Sequence, residues 1–341
     1  DTLRAANFLT FGPSEAAARL EASKAFTKAV CDASGAPTAG YARFTENAPA
    51  QAYIRQQGVP IVIKADGLAA GKGVVVAMTE PEALTAVDDM LGGAFGTAGA
   101  EIVIEEFMDG EEASLFVLCH GETCLPIGSA QDHKRVFDGD KGPNTGGMGA
   151  YCPAPVLTAE IEEQVMAQII RPTLAEMTRR GTPYQGVLFA GLMIKNGAAR
   201  LVEYNVRFGD PECQVLAMRL GAQMLDLLLA CAENRLGDTR VSWADDHALT
   251  VVMAAKGYPG SYAKGSQISG LDALPSNSGQ EVFHAGTALV DGRLTATGGR
   301  VLNVTARAAS LGQARDLAYG MVDLIEWPDG FCRRDIGWRA L

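Results

Sequence analysis

The chain has 341 residues, of which 48% are hydrophobic and 20% are charged, and its formal net charge is −11. That composition is typical of a globular protein with two or three domains. The acidic charge argues against a general nucleic-acid binder, because it repels a phosphate backbone. No apolar run reaches the ~18 residues that a membrane helix needs.

The cysteine pattern indicates reduced thiols. Seven cysteines without any C-x-x-C pair, together with four dispersed histidines, argue against a disulfide framework or a zinc site. We therefore expect a cytoplasmic protein with neither a nucleic-acid nor a membrane partner. The chain starts at Asp1, and residues 1–7 have the pattern of a helix already under way, so we expect that a preceding segment is missing.

The first third of the chain mixes helices and strands. Ser14 is a typical helix N-cap and Gly35 a typical helix end, so helices are predicted over 15–20 and 24–33. Strand-like runs separated by glycine turns follow. We predict strands over 61–64, 73–78, 102–107, 113–120 and 123–127, with a helix over 81–91.

The remaining two thirds begin with an unusual stretch. Residues 131–151 hold five glycines and are predicted to form a long loop, which in a compact domain is typically functional. A helix over 158–180, bent or divided at Pro172, precedes a hairpin of 187–194 and 200–206 that turns at Asn196-Gly197. The rest is predicted as helices over 211–220, 223–234 and 310–325 with strands over 249–255, 282–290 and 301–306.

The first chemical motif is a glycine-rich segment between two strands. Lys64 ends one strand and Lys72 opens the next, and Gly67, Gly71 and Gly73 lie in this segment. Small residues let backbone N–H groups approach phosphate oxygens, to which lysine adds positive charge. The spacing is not that of a Walker A loop. We interpret 67–73 as a phosphate-covering lid, and a plain glycine-rich hairpin is the alternative.

The second motif is a strand that ends in acceptors and an aromatic residue. Glu105, Glu106, Phe107 and Met108 offer the groups that hold a purine, and Glu112 follows at a distance suited to a ribose. Taken alone, these residues fit an edge strand with solvated glutamates better than a binding site.

The third motif joins Glu203, Asn205 and Arg207, which share one face of a strand because residues two apart point the same way. Carboxylate and amide oxygens suit Mg²⁺, and an arginine beside them can hold a carboxylate or a phosphoryl group. The alternative is the solvent-exposed face of a half-buried strand.

The fourth motif lies in the predicted long loop. Asp132 opens a charged stretch, and the glycines after Thr145, including Gly146 and Gly147, are able to form an anion nest. A solvated surface loop is the alternative. We expect His133 and the other histidines to be surface or core residues rather than catalytic bases.

Taken together, these strings resemble the glycinamide ribonucleotide synthetase family of ATP-grasp ligases. The resemblance runs essentially from end to end. It is carried by FGPS (11–14), SKAFTK (23–28), IVIKADGLAAGKGV (61–74), IEEFMDGEEAS (104–114), QDHKR (131–135), GPNTGGMGAY (142–151), EYNVRFGDPE (203–212), GGRVL (298–302) and FCRRDIGWRA (331–340).

The resemblance implies a fold and a domain organisation. The fold is α/β (α+β): an ATP-grasp fold with a small C-terminal α+β domain, from which the family's N-terminal Rossmann-like domain is largely absent. Residues 1–13 would be a remnant of that domain. The central ATP-grasp domain would hold 14–41 and 111–240, the lid subdomain 42–110, and the C-terminal domain 241–341.

The resemblance also implies roles for individual residues. ATP binding falls on Lys24, Lys64, Gly67, Gly71, Lys72, Gly73, Glu105, Glu106, Phe107, Met108 and Glu112. A metal ion, Mg²⁺ or Mn²⁺, falls on Glu203 and Asn205. Catalysis falls on Lys72, Arg207 and Asp210, and substrate binding on Asp132, Thr145, Gly146, Gly147, Arg207 and Asp210.

The implied activity is ATP-dependent ligation of glycine to 5-phosphoribosylamine through glycyl phosphate, in purine biosynthesis, by a monomer that uses small-molecule substrates. Two alternatives stay open: another ATP-grasp carboxylate–amine ligase, and a nucleotide-binding fragment with little turnover because the acceptor site is incomplete.

Overall fold

The computed structural model describes residues 1–67, 73–94, 96–275, 277 and 279–341. Its α-helices are α1 Thr2–Ala5, α2 Glu15–Ala22, α3 Lys24–Ser34, α4 Asn47–Gln57, α5 Glu80–Asp89, α6 Ala159–Val165, α7 Arg171–Arg179, α8 Glu212–Leu220, α9 Gln223–Ala232 and α10 Leu311–Val322. Among the described residues, none of these helices alone is long and apolar enough to cross a membrane, although the bent pair α8 and α9 passes that test together.

The strands are mostly short and antiparallel. They are β1 Tyr41–Phe44, β2 Ile61–Ala65, β3 Val74–Ala77, β4 Ile102–Glu106, β5 Glu111–His120, β6 Thr123–Asp132, β7 Arg135–Phe137, β8 Lys141–Asn144, β9 Gly149–Cys152, β10 Gln185–Lys195, β11 Ala198–Asn205, β12 His247–Ala255, β13 Gln280–His284, β14 Thr287–Val290, β15 Arg293–Ala296, β16 Arg300–Ala308 and β17 Gly330–Phe331.

The chain forms two compact units. The first consists of Asp1–Pro126, Val156–Arg207 and Leu227–Thr239, and the second of Ile127–Pro155, Phe208–Asp226 and Arg240–Leu341.

The first unit contains two groups of antiparallel strands. One is a four-stranded sheet in the order β1-β4-β2-β3, and in the other β10 pairs with both β5 and β11. Helices α4 and α5 cover the four-stranded sheet, and Ile54, Ile63, Val87 and Ile104 form its dry core. Burying such side chains stabilises the unit by about 1.5–3 kcal/mol each.

The second unit is built around β12. That strand pairs with β9 and β16, β9 also pairs with the end of β6, and β16 pairs with β13. Helix α10 packs against this sheet, so that Ala318 and Met321 join Leu249, Val251 and Val304 in one core.

Local capping and turn signals are confirmed. Ser14 accepts the Ala17 N–H at 3.2 Å and so caps α2, and Gly35 ends α3 in the left-handed conformation. Asn196 and Gly197 both have positive φ between β10 and β11, as a type I′ hairpin turn requires.

Several predicted elements differ from the structure. Residues 131–151 are not one loop, because β7 and β8 pair as a hairpin there and β9 joins the β12 sheet. The predicted strand 282–290 is two strands in different sheets. Pro172 does not divide its helix: a π-helical turn, Met166–Ile170, precedes α7 and keeps helical dihedral angles. The prediction also lacked β1 and α4.

The N-terminus of α5 offers a test of the local physics. Thr79 and Glu82 form a reciprocal capping box, so Thr79→Ala should lower the free energy of unfolding by about 1 kcal/mol. Thr85 lies exposed inside the same helix, and Thr85→Ala should raise it by roughly a few tenths of a kcal/mol, because alanine is the better helix former. Urea denaturation measures both, and changes of the same sign would contradict the capping role.

Candidate functional site

A β-bulge in β11 sets the direction of the predicted metal ligands. Gly191 pairs with Glu203 but Leu192 pairs with Leu201, so one extra residue, Val202, is inserted in β11. Ala199 and Leu201 are buried before the bulge, whereas Tyr204 is buried after it. The bulge therefore turns Glu203 and Asn205 away from the core face that a regular strand would give them.

Arg207 lies just beyond the end of β11 and contacts the same region. Its guanidinium donates to the Asn205 side-chain oxygen at 3.3 Å and to Glu21 at 3.0 Å. The other Glu21 oxygen accepts the Val206 N–H at 2.9 Å. Glu21 was not singled out from the sequence, and it ties the end of α2 to the end of β11.

The predicted phosphate lysines lie close to Glu203 and Glu105. Burial lowers the pKa of Lys24, whereas the nearby carboxylate of Glu203 raises it and Lys64 lowers it further. Lys64 lies on β2 and its ammonium group is 3.0 Å from Glu105, with both side chains about 5% exposed or less. The structure thus brings Lys24, Lys64, Glu105 and Glu203 into one electrostatic cluster.

A second buried lysine belongs to this cluster. The Lys28 ammonium group is 3.3 Å from Glu105 and only 3% of its side chain is exposed. Sequence reasoning missed it, although Lys28 follows Lys24 by one helical turn, a spacing that places both on one side of α3.

The start of the glycine-rich segment is fixed to α3. The Asp66 carboxylate accepts the Ala25 N–H at 2.6 Å and the Ser23 hydroxyl, and Lys24 donates to the Gly67 carbonyl at 3.5 Å. Gly73 is buried just before β3. Gly71 and Lys72, and with them most of the predicted lid, lie outside the described residues.

The predicted purine-binding residues lie at the end of β4. Glu106 accepts the Gly40 N–H at 2.8 Å and pairs with Arg200. Phe107 is 37% exposed, Met108 is half-buried, and Glu112 stands near the start of β5 opposite Met193. The Glu105 side chain turns to the lysines, so it does not face outward with Glu106.

In the second unit, one arginine joins the predicted substrate residues. Arg300 donates to the Gly146 carbonyl at 2.9 Å, to the Gly147 carbonyl at 3.3 Å and to the Asp210 carboxylate at 2.9 Å. Thr145 holds the same turn, since its hydroxyl accepts the Gly147 N–H at 2.9 Å. Arg300 was given no role from the sequence, because its partners lie 90 and about 150 residues away.

A buried carboxyl group lies beside Asp132 and Asp210. Burial and, after it, the negative charge of Asp132 together raise the pKa of Glu212 to about 8. Glu212 is 4% exposed, and a Cβ atom added to Gly209 would overlap its carboxyl group. The raised pKa of Glu212 favours its protonated form, and this preference depends on burial in the fold.

His133 is a core residue, as expected. Its ring is fully buried and its Nε2 accepts the Gly337 N–H at 3.0 Å, which places the proton on Nδ1. Burial lowers the pKa of His133. The buried Arg333 binds Asp140 at 2.9 Å and Asp335 at 2.8 Å nearby, so this network is a structural clamp.

The donor set fits a divalent cation that is shared with a substrate. No group of three or more His, Cys, Asp or Glu side chains in the described part of the chain is arranged to hold a metal ion. Glu203 and Asn205 offer two hard oxygen ligands, and Mg²⁺ is usually held by one or two carboxylates plus substrate phosphates and water. The two residues suit that arrangement and do not suit an all-protein cage.

Comparison with known proteins gives a consistent result along the chain. The family model of the phosphoribosylglycinamide synthetase ATP-grasp (A) domain matches residues 22–213, and that of the C domain matches residues 248–339. Phosphoribosylamine–glycine ligase of Brucella melitensis biotype 1 is 60% identical over 341 residues, which is 100% of this chain and 80% of that protein.

Two solved structures extend the comparison. Phosphoribosylamine–glycine ligase from Thermotoga maritima has a TM-score of 0.88 at 32% identity and covers 95% of this chain and 81% of that one. Biotin carboxylase from Campylobacter jejuni has a TM-score of 0.76 at 15% identity, covering 96% and 72%, a likeness of fold alone. The predicted ATP-grasp fold is confirmed.

The raised pKa of Glu212 predicts a pH-dependent stability. Between the ordinary value of 4.5 and about 8, the folded state holds a proton that the unfolded state releases, so rising pH favours unfolding. Wild type should therefore lose free energy of unfolding between about pH 5 and about pH 8, whereas Glu212→Gln has no proton to lose there. The free energy of unfolding of the variant minus that of wild type should rise by an amount on the order of a few kcal/mol over this range. Urea denaturation at both pH values measures the difference, with the exposed Glu122→Gln as control. A pH-independent difference would contradict the assignment.

Proposed function

Because this chain belongs to the phosphoribosylglycinamide synthetase family, we propose that it ligates glycine to 5-phosphoribosylamine with ATP. The products are glycinamide ribonucleotide, ADP and phosphate, in purine biosynthesis. The observation that carries the proposal is the placement of two lysines at the glycine-rich segment: Lys24 donates to the Gly67 carbonyl at 3.5 Å, and Lys64 lies near the end of β2. The carboxylate of Glu203 is near enough to act on Lys24 electrostatically, and two cations with a hard carboxylate in one region suit a metal-bound polyphosphate.

ATP is the proposed ligand of the first unit. Lys24 and Lys64 contact its phosphates, with Gly67, Gly73 and, in the segment beyond the described residues, Gly71 and Lys72. The end of β4, with Glu106, Phe107 and Met108, holds the purine, and Glu105 holds Lys64. Glu112 binds the ribose hydroxyls. The exposed face of Phe107 supports stacking, and the fixed position of Glu106 supports a rigid edge for the base.

Glu203 and Asn205 hold the divalent cation, Mg²⁺ or Mn²⁺, which when bound neutralises charge on the ATP phosphates. Glu203 and Asn205 share one direction because they are two residues apart, and the bulge at Val202 turns both away from the core face. Glu21 limits the movement of Arg207 by pairing with its guanidinium at 3.0 Å. That restraint supports a role for Arg207 in holding the transferring phosphoryl group or the glycine carboxylate.

The proposed reaction has two steps, with glycyl phosphate as the intermediate. A carboxylate oxygen of glycine attacks the γ-phosphorus, the bond to the β,γ-bridging oxygen breaks, and ADP leaves with that electron pair. The amine nitrogen of phosphoribosylamine then attacks the carbonyl carbon of glycyl phosphate. Phosphate leaves, and the nitrogen loses one proton. Lys72 and Arg207 act by positioning and charge neutralisation, which are the main contributions in phosphoryl transfer.

The further substrate residues of this proposal all lie in the second unit. Thr145, Gly146 and Gly147 present backbone groups in a turn that Arg300 holds to Asp210, and Asp132 lies at the end of β6. The N–H groups of Thr145, Gly146 and Gly147 already donate to the Lys134 carbonyl, the Tyr258 hydroxyl and the Thr145 hydroxyl, so this turn is proposed to shape the substrate site and does not form an open anion nest. Asp210 is proposed to orient the reacting groups, since its carboxylate is fixed by Arg300.

The proposed functional domains follow the strands. The four-stranded sheet lies within 41–106, which supports 42–110 as the lid subdomain. Residues 14–41 and 111–240 stay the proposed central domain, although 127–155 and 208–226 belong to the second compact unit together with the C-terminal residues. The C-domain match at 248–339 supports 241–341 as a C-terminal domain. All seven cysteines are unpaired thiols, which supports the cytoplasm as location, and a monomer stays part of the proposal.

The metal assignment predicts the outcome of one conservative change. Glu203→Gln keeps the shape but removes the anionic ligand, so ADP release that depends on both glycine and phosphoribosylamine should fall about a hundredfold or more. A coupled assay with Mg²⁺ or Mn²⁺ measures this, and the exposed Glu281→Gln on β13 is the matched control. Metal-dependent turnover at the wild-type rate would refute the assignment, and wild-type protein without ADP release would refute the proposed function.

The acid substrate is proposed to be glycine specifically. One added methyl group in a fitted pocket typically costs roughly 10–200-fold in kcat/KM, so alanine and serine should be worse substrates by at least that range. The same assay with each amino acid in place of glycine measures the ratio. Equal kcat/KM for glycine and alanine would contradict the proposal.

A further inference from the structure

Lys28 is a buried cation that the proposed reaction does not use directly. It lies on α3, and its ammonium group donates to the Thr38 hydroxyl at 2.9 Å and to the Ala39 carbonyl at 3.2 Å. Its third partner is one carboxylate oxygen of Glu105, at 3.3 Å. The same Glu105 oxygen is 3.0 Å from the ammonium group of Lys64.

Two ammonium groups therefore share one carboxylate. Lys28, Lys64 and Glu105 are each about 5% exposed or less, so water screens their charges weakly. A buried ion is costly unless it is paired and hydrogen-bonded. Burial lowers the pKa of Lys28, and Glu105 opposes that shift. With all three groups ionised, the triad carries a net charge of one positive unit (two lysines, one glutamate).

We propose that Lys28 is a positioning residue for the nucleotide: by sharing the carboxylate of Glu105, it keeps the ammonium group of Lys64 oriented and available for the ATP phosphates. This inference rests on the proposed function, since it requires that Lys64 meets a phosphate. Without Lys28, Glu105 would pair with Lys64 alone and the net positive charge would vanish.

A second connection links Lys28 to the strand that carries the proposed metal ligands. The Thr38 hydroxyl that accepts from Lys28 donates to the Leu201 carbonyl at 2.7 Å, and the Leu201 N–H donates to the Pro37 carbonyl at 2.8 Å. Leu201 precedes the bulge in β11 and lies two residues before Glu203. Lys28 thus touches the strand of Glu105 directly and the strand of Glu203 through one hydroxyl group.

A purely structural role for Lys28 would give a different result from a role in phosphate binding. Loss of packing or of a link between strands would weaken the binding of any adenine ligand to a similar degree. Loss of positive charge would instead lower the affinity for each ligand in proportion to the negative charge of its phosphates. The comparison of ATP with adenosine therefore separates the two roles.

The test is a set of binding titrations with ATP and adenosine in saturating Mg²⁺. Lys28→Met should weaken ATP about tenfold, within the range for residues that share one ion-pair network, and adenosine less than about twofold. Lys28→Gln keeps a hydrogen-bond donor for Thr38 and is the substitute if the methionine variant folds poorly. It should show the same selective loss of ATP affinity. Lys256→Met is the matched control: its ammonium group is exposed and donates to the Pro328 carbonyl, and ATP affinity should not change.

The decisive variant is a double substitution that restores the net charge of the triad without restoring Lys28. Lys28→Met combined with Glu105→Gln leaves Lys64 as the remaining ion of the triad, so the net charge is again one positive unit. ATP affinity should then recover to within about threefold of wild type. A structural role predicts instead that the second change adds to the damage.

The outcomes separate the two proposals. Equal loss of ATP and adenosine, wild-type ATP affinity in both Lys28 variants, or no recovery in the double variant would overturn the role of Lys28 while leaving the ATP site standing. Wild-type protein that binds ATP no tighter than adenosine would overturn both.

Discussion

The first unit depends on one buried carboxylate held between two buried ammonium groups. Glu105 connects α3, through Lys28, with β2, through Lys64. None of the three groups would be stable alone in the interior, because an unpaired buried ion costs several kcal/mol. Their mutual pairing fixes the helix against the four-stranded sheet and leaves a positive excess beside the proposed phosphate site. A structural requirement and a functional one are met by the same atoms.

The bulge in β11 solves a related problem of direction. A regular strand would place Glu203 and Asn205 on the face of Ala199 and Leu201, which are buried. Polar groups on that face would lack partners and would destabilise the strand. One inserted residue, Val202, reverses the alternation, so that Tyr204 fills the core while both proposed metal ligands lie off the core face. The proposed metal ligands and an apolar core are thus compatible in one strand.

Arginines organise the second unit in a similar way. Arg300 joins the turn at Gly146 to Asp210, and Arg333 joins Asp140 to Asp335. A guanidinium offers five donors in a rigid plane, so a single side chain satisfies carbonyl and carboxylate groups from segments that have no secondary structure in common. The turn at Gly146 and Gly147 is thus held in a fixed shape by the hydrogen bonds of Arg300.

The sequence by itself determined the features that depend on neighbouring residues. The cap at Ser14, the helix end at Gly35 and the hairpin turn at Asn196 follow from local backbone chemistry, and the resemblance to the ATP-grasp ligase family rests on whole sequence strings. Only the tertiary structure decided that the strand alternation reverses at Val202 and that the Glu105 side chain points inward. The same holds for the burial of Lys28 and Glu212, and for the hydrogen bonds by which Arg300 joins distant segments. Each of these depends on a partner brought close by folding, by strand register or by desolvation, and neither register nor burial is written in the spacing of one segment.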